Sequence, residues 1–245
     1  MLKPSPDALR FSEALRDCRS GVAFVEFAFA LPVLLALGLL GLETANYAMA
    51  NLRVSNIAML TADNAARVRD SIDEADIVEL FTGAKMSGTN IQFAQNGRII
   101  LTDLEPTTSP AGKQWVRWQR CDGALNYTSA NTALRPMNKN SAVISNGTEI
   151  YQTDRNTPST ADNVSSEVGA TLTQVGSGTN VISAQPGTAV MLVEVAYTYQ
   201  PVIPNSFLSG RRITYQSAFN VRQRTDQTLR NVNRITPRSC NLFAA

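Results

Sequence analysis

The sequence predicts an α+β protein in which one long N-terminal helix, its first half suited to a bilayer, lies on an antiparallel sheet of four or five strands. Three observations lead there. From Val22 to Leu42 the only charged residue is Glu26, and at ~1.5 Å per residue the run reaches roughly 30 Å, the thickness of a bilayer core. From Leu42 to Thr82 there is no proline and apolar residues recur at near-helical spacing. Beyond Gly83 the apolar period falls to two, and the clearest strand candidates come near the end of the chain. A long helix packed on such a sheet is an α+β layer arrangement.

The helical half can be read in order. Ile57, Leu60, Ala65, Val68 and Ile72 form an apolar stripe suited to packing on a sheet. Ser71-Ile72-Asp73-Glu74 fits a capping box, so the spacing predicts a break near Asp70 and a second short helix to about Phe81. Asp73, Glu74, Asp76 and Glu79 cluster there; acidic residues in a first turn favour the helix dipole, and that explains them better than a metal site does.

The β half follows. Asn96-Gly97 between Ile91–Gln95 and Arg98–Leu101 reads as a two-residue hairpin turn. Gln114–Arg120 reads as a strand entered through Pro110-Ala111-Gly112, with Trp115 and Trp118 on opposite faces, so that at most one is core. Residues 122–187 are rich in Asn, Thr, Ser and Gly without a sustained period and read as a long surface excursion. Ala189–Tyr199 is a Val- and Tyr-rich strand ended by Pro201. Arg212–Arg222 returns through Ser209-Gly210, and Arg222, Arg224, Arg230, Arg234 and Arg238 give a basic tail whose default place is a solvated surface.

Glu26 needs a reason to sit in an apolar run, because a carboxylate at the centre of a membrane helix costs ~2.5–3.5 kcal/mol, less near an end. It lies five residues past Gly21 and is followed by Phe27, after a leader carrying Lys3, Arg10, Arg16 and Arg19. This pattern resembles the processing site of type IV pilins and pseudopilins. Gly21 to Leu35, with Val25-Glu26-Phe27-Ala28 and Leu31-Pro32, resembles more narrowly the N-terminus of TadE-like proteins, pseudopilins of the tight-adherence (Flp) pilus machinery, as does a second acid at the far end of the span, Glu43. The resemblance covers about the first fifth of the chain. It implies a pilin-like lollipop shape, cutting by a prepilin peptidase between Gly21 and Val22, and recognition or assembly through Glu26 and Phe27. The freed amine of one subunit would meet Glu26 of another, two charges neutralising each other where neither is well solvated.

That reading divides the chain into a cytoplasmic leader (1–21), a transmembrane helix (22–44), an extended helix with a short second one (45–82), and an exported β-rich domain (83–245) with its insertion at 122–187. Basic residues cluster before the span, whereas only Arg53 follows it closely. The expected placement is therefore the bacterial inner membrane, single-pass, with the N-terminus cytoplasmic and the bulk periplasmic. A cleaved secretory signal ending at Ala48-Met49-Ala50 is the rival, although its apolar stretch exceeds the usual length. If Cys18 leaves with the leader, Cys121 and Cys240 remain as an even pair in an oxidising compartment, which invites one disulfide; two unpaired thiols are the alternative.

Composition narrows the function. The chain has no histidine and a net charge of +2, which removes most acid–base pairs and favours neither nucleic acid nor acidic ligands. Phosphate-binding glycine loops and Gly-x-Ser-x-Gly are missing, and without histidine or neighbouring cysteines neither zinc nor another cofactor is expected. The expectation is a non-catalytic pseudopilin whose partners are the prepilin peptidase, other pilins and assembly proteins, and the lipid bilayer. The second possibility is an exported binding module or adhesin that uses the segment only as an anchor or signal.

Overall fold

The computed structural model describes residues 20–106, 114–128, 175–177, 180–204, 206–224, 226–227, 229–238, 240 and 242–244. The leader, the Pro110-Ala111-Gly112 turn and most of the 122–187 excursion lie outside them. Helix α1 (Ser20–Arg67) runs for 48 residues through Pro32; the imino acid has no N–H, so the carbonyl one turn back loses its helical donor. From residue 21 to residue 42 every position is exposed. Past that point the helix acquires a buried stripe of Ala50, Val54, Ile57, Ala58, Ala62, Ala65 and Ala66.

That stripe keeps Ile57 and Ala65 of the expected one, with Val68 packed against it, and corrects the rest. Leu60 is exposed, lining a groove of about 350 Å³ with Thr61, Val68, Leu80 and Ala84, and Ile72 is buried from a strand rather than from the helix. The core face is built instead from alanines, whose small side chains let the helix axis approach the sheet closely.

Helix α1 stops before a left-handed Asp70 (φ 59°). The two-residue strand β1 (Ile72–Asp73) leads into helix α2 (Glu74–Ser87), which runs past the expected end at Phe81. The capping box is present but shifted: Asp73 accepts from the Ala75 amide at 3.0 Å, and its own amide donates to Asp76 at 2.8 Å. Ser71 and Glu74 do not serve because Glu74 is turned into the core.

The Asn96-Gly97 hairpin is also corrected. Thr89–Ile91 forms a 3-10 turn and Phe93–Asn96 a short helix, α3, after which Gly97 is extended at φ −121° and opens strand β2 (Gly97–Pro106). A two-residue turn of the expected type needs positive φ at both residues. The competing force is burial of Phe93, which is fully enclosed and stacks on Tyr197 with ring centroids 6.4 Å apart. Gly97 is needed for close approach, since a Cβ there would stand 2.4 Å from the Phe93 ring.

Strands β3 (Gln114–Asp122), β2, β6 (Val190–Thr198) and β7 (Arg212–Asn220) form one antiparallel sheet in the order β3-β2-β6-β7. Between them in sequence, β4 (Val175–Ser177) and β5 (Asn180–Ile182) pair only with each other, and β8 (Leu229–Arg230) joins β1 in parallel. The sheet face toward α1 carries Ile99, Leu101, Trp118, Met191, Val193, Val195 and Tyr197, all in the main core. Trp118 is thus the core tryptophan of its strand, its indole donating to the Gln227 carbonyl at 3.1 Å; the side chain of Trp115 lies outside the described residues.

Polar anchors hold the layers together. On the helix side Arg120 of β3 forms a fully buried ion pair with Glu74 of α2, its Nε donating to the two carboxylate oxygens at 2.8 and 3.0 Å and its Nη2 also contacting Oε1. On the opposite side Arg98 donates to the carbonyls of Gly123 (2.8 Å) and Cys240 (2.7 Å) and lies over the Phe243 ring at 4.3 Å, pinning the C-terminal tail. Burial pushes the Arg98 guanidinium down to about 10, with Asp122 opposing, so it keeps its charge at neutral pH. In the basic tail Arg222, Arg230 and Arg234 are exposed as expected, and Arg224 is the exception. Arg224 is buried and bonds Gln227 at 2.9 Å, while Arg222 pairs with Asp63 at 2.9 Å and Arg230 with Asp226 at 2.8 Å.

Removing one member of the Glu74–Arg120 pair leaves an uncompensated buried charge. Arg120→Met or Glu74→Leu alone is expected to cost ~3–5 kcal/mol, and the two together much less than their sum. Denaturant unfolding of the detergent-solubilised chain measures this, and additive costs would deny the pair its structural weight.

Candidate functional site

The residues singled out from the sequence fall into two separate groups. Gly21 and Val22 occupy the first turn of α1, and Glu26 and Phe27 follow one turn later; all four are exposed. Val22 and Glu26 stand four residues apart, which puts them on one helix face as neighbours. Around them Phe24, Val25, Phe29, Leu34 and Leu37 are between half and four-fifths exposed, and no described residue covers them. Within Gly21–Arg67 lies a segment long and apolar enough to cross a membrane, none of it buried against the protein. The arrangement can present a carboxylate and an apolar cylinder sideways to lipid or to another helix. The second group, Cys121 and Cys240, sits on the sheet face away from α1, joined by a sulfur–sulfur bond of 2.04 Å.

Sequence reasoning gave Glu43 only a family likeness, yet it forms the joint between the bare and the packed halves of α1. It is fully buried, one residue past the exposed stretch. The Val202 and Ile203 amides donate to its Oε2 at 3.2 and 3.1 Å, and the Ser206 hydroxyl to its Oε1 at 3.3 Å. Asn46 donates to the Tyr199 hydroxyl at 2.7 Å, and Tyr47 meets the Tyr199 ring edge-on at 5.0 Å between centroids. Burial raises the Tyr199 phenol above its ordinary value, so it stays a neutral hydrogen-bonding group. The partners are more than 150 residues from Glu43 in sequence, and no local signal announces them. Only an acid placed directly at the end of an apolar run hinted at a role.

Nothing among the described residues resembles a catalytic centre. No group of three or more metal-capable side chains occurs among them. The acidic cluster is dispersed into separate tasks: Asp73 and Asp76 cap α2, and Glu74 pairs with Arg120, so the dipole alone does not explain it. The most perturbed acid is Asp103, which is fully buried with both oxygens lacking a hydrogen-bond partner. Burial, then the charge of Glu105, holds its carboxyl well above the usual range, while Arg224 and Arg117 pull the other way without reversing it. No solvent reaches it, so it bears on stability rather than on turnover.

Two measurements follow from these groups. A carboxyl raised in the native state binds its proton more tightly there than in the unfolded chain, so its contribution to stability falls as pH rises from about 4 toward the native value. Asp103→Asn is therefore expected to raise the thermal midpoint at a pH of about 8, with the difference closing toward about 4; a constant difference would refute the buried-acid account. For Glu43, Glu43→Ala should expose the Val202 and Ile203 amides, at a cost of ~1–3 kcal/mol for the lost charge-assisted bonds. Hydrogen exchange would then quicken at those amides while the Glu74–Arg120 region stays protected.

Comparison with known proteins adds one match. Residues 21–68 fit the family model described as TadE-like protein, a span that begins at Gly21 and ends just beyond α1. No curated protein and no solved structure matches the chain. The matched span holds the whole exposed segment, Glu26, Glu43 and the alanine stripe, so over its N-terminal helix, which is long and apolar enough to cross a membrane, the chain is similar to TadE-like proteins.

Proposed function

We propose that the chain is a minor pseudopilin, a non-catalytic component of tight-adherence pilus assembly at the inner membrane, cut by a prepilin peptidase between Gly21 and Val22. The observation that carries the proposal is Glu26, held one turn past Gly21 on an apolar helix that nothing in the described protein covers. Processing would free an amine at Val22. In a bilayer that amine and a carboxylate gain by meeting, and a second subunit's Glu26 offers the meeting point. Small residues at Ala28, Ala30, Ala36 and Gly38 would let neighbouring helices approach. Pro32, which weakens one rung of the helix, would give it room to bend.

The packing of the outer helix supports a retained anchor over a removed signal. A cut after Ala50 would strip Glu43, Asn46, Tyr47 and Ala50 from the domain they hold, together with the bonds they make to Tyr199, Val202, Ile203 and Ser206. With the anchor retained, the leader stays cytoplasmic and the sheet faces the periplasm, in keeping with the basic residues before the span.

The direct test is N-terminal sequencing of the protein from its own membranes. A start at Val22 is expected; a start at Asn51 would refute the proposal. Glu26→Ala should leave the unfolding midpoint within the scatter of a surface change, ~0.5 kcal/mol, while pili disappear from the cell surface. Normal piliation in that variant would remove the role assigned to Glu26.

A further inference from the structure

We propose that the β6–β7 loop, through residues 200–204 and 206–208, is a second membrane contact, laying Val202 and Phe207 into the headgroup region beside the span. The inference rests on reading residues 21–42 as the membrane-crossing part of α1. Three observations on the molecule carry it.

The first is level. Glu43 is the first buried residue after the exposed apolar stretch, and it takes the amides of Val202 and Ile203 and the hydroxyl of Ser206 directly. Hydrogen-bonded contact fixes this loop within about one helical turn of the point where the lipid-exposed surface ends.

The second is direction. Strand β6 begins beside the far end of α1, where the Val221 amide bonds the Ala189 carbonyl and the Arg222 amide bonds Ala66 at 3.3 Å. It ends beside Asn46 and Tyr47, reached through Tyr199. The strand therefore descends antiparallel to the helix, and its loop is carried down toward the span.

The third is composition. Val202 is 56% and Phe207 61% exposed, on either side of Ser206 and its bond to Glu43. Pro201 and Pro204 stiffen the segment and remove two amide donors that would otherwise need water or a partner. Isolated exposed apolar residues are ordinary on a soluble surface. Here the pair sits on the loop that bonds Glu43, at the end of an uncovered apolar helix, and the headgroup region into which it would dip is ~5–7 Å deep on each side of the hydrocarbon core. Aromatic side chains favour that zone. With the loop clamped to α1 by Glu43, two points of contact would set the tilt of the sheet domain over the bilayer and which of its faces meets neighbouring subunits.

The test uses the full chain reconstituted into phosphatidylcholine vesicles, with and without lipids brominated in the upper acyl chain. Phe207→Trp places a reporter in the loop. Val232→Trp, exposed at 53% beside the cap of α2, is the distant control, since its amide bonds Asp73 beyond the outer end of α1, ~35 Å along the helix from Glu43. The emission added at Phe207→Trp over the wild-type background is expected to shift to the blue in vesicles and to be lost with brominated lipid, while that of Val232→Trp is unchanged. Flotation separates the possible failures. A chain that floats with the vesicles but shows no quenching at Phe207→Trp overturns the second contact and leaves the span standing. A chain that fails to float overturns the span and this inference together.

Discussion

Helix α1 has to satisfy two solvents with one continuous backbone. Over its first turns its side chains face outward on all sides and its backbone bonds are internal, the condition a bilayer imposes. Over its last turns one face must fit a sheet, and there the large residues give way to alanine at positions 58, 62, 65 and 66. The change from one regime to the other occurs at Glu43. A carboxylate there is costly unless it is fully engaged, and the amides of Val202 and Ile203 with the Ser206 hydroxyl engage it. The rest of the domain hangs from that joint, because β6 and β7 meet in the loop that supplies the donors.

The same economy of fixed polar contacts recurs through the domain. Arg120 with Glu74 fastens α2 to the sheet, and Arg98 fastens the chain terminus to the reverse face. Each is a guanidinium that bonds in more than one direction, a geometry suited to holding backbone carbonyls and carboxylates at defined angles. Apolar burial supplies the bulk of the favourable free energy, whereas these contacts specify which pieces meet.

The sequence made the α+β class, the apolar span and the strands at 190–198 and 212–220 legible, because each depends on a period that a few large residues announce. The alternation that set Trp115 and Trp118 on opposite faces did not say which of them is core; the structure buries Trp118. Where reading failed, a long-range demand had overruled a local signal. Asn96-Gly97 carries a strong turn preference, but enclosing Phe93 against Tyr197 requires a helical turn instead. Ser71 and Glu74 have the right spacing for a cap, but Glu74 is claimed by Arg120 from 46 residues away. The core stripe of α1 was read only in part, with Ile57, Ala65 and Val68 right and Leu60 wrong, because alanine contributes little to an apolar pattern and much to close packing. Arg224 belongs to a run of arginines that looks solvated, and its buried place depends on Gln227 and the Ala65 carbonyl, which composition does not disclose. Among the site residues, the exposed line from Gly21 to Phe27 followed from local pattern alone. The clasp around Glu43 joins residues too far apart in sequence for any such pattern to report.

The bond between Cys121 and Cys240 closes a ring over a sequence separation of 119 residues, and the long Asn- and Thr-rich excursion lies wholly inside it. A peptide bond hydrolysed anywhere within that ring therefore releases no fragment: the two pieces stay covalently tethered, and strand β3 keeps its hold on the C-terminal tail. The excursion can thus be nicked or diversified in length while the molecule remains a single covalent body attached to its N-terminal helix.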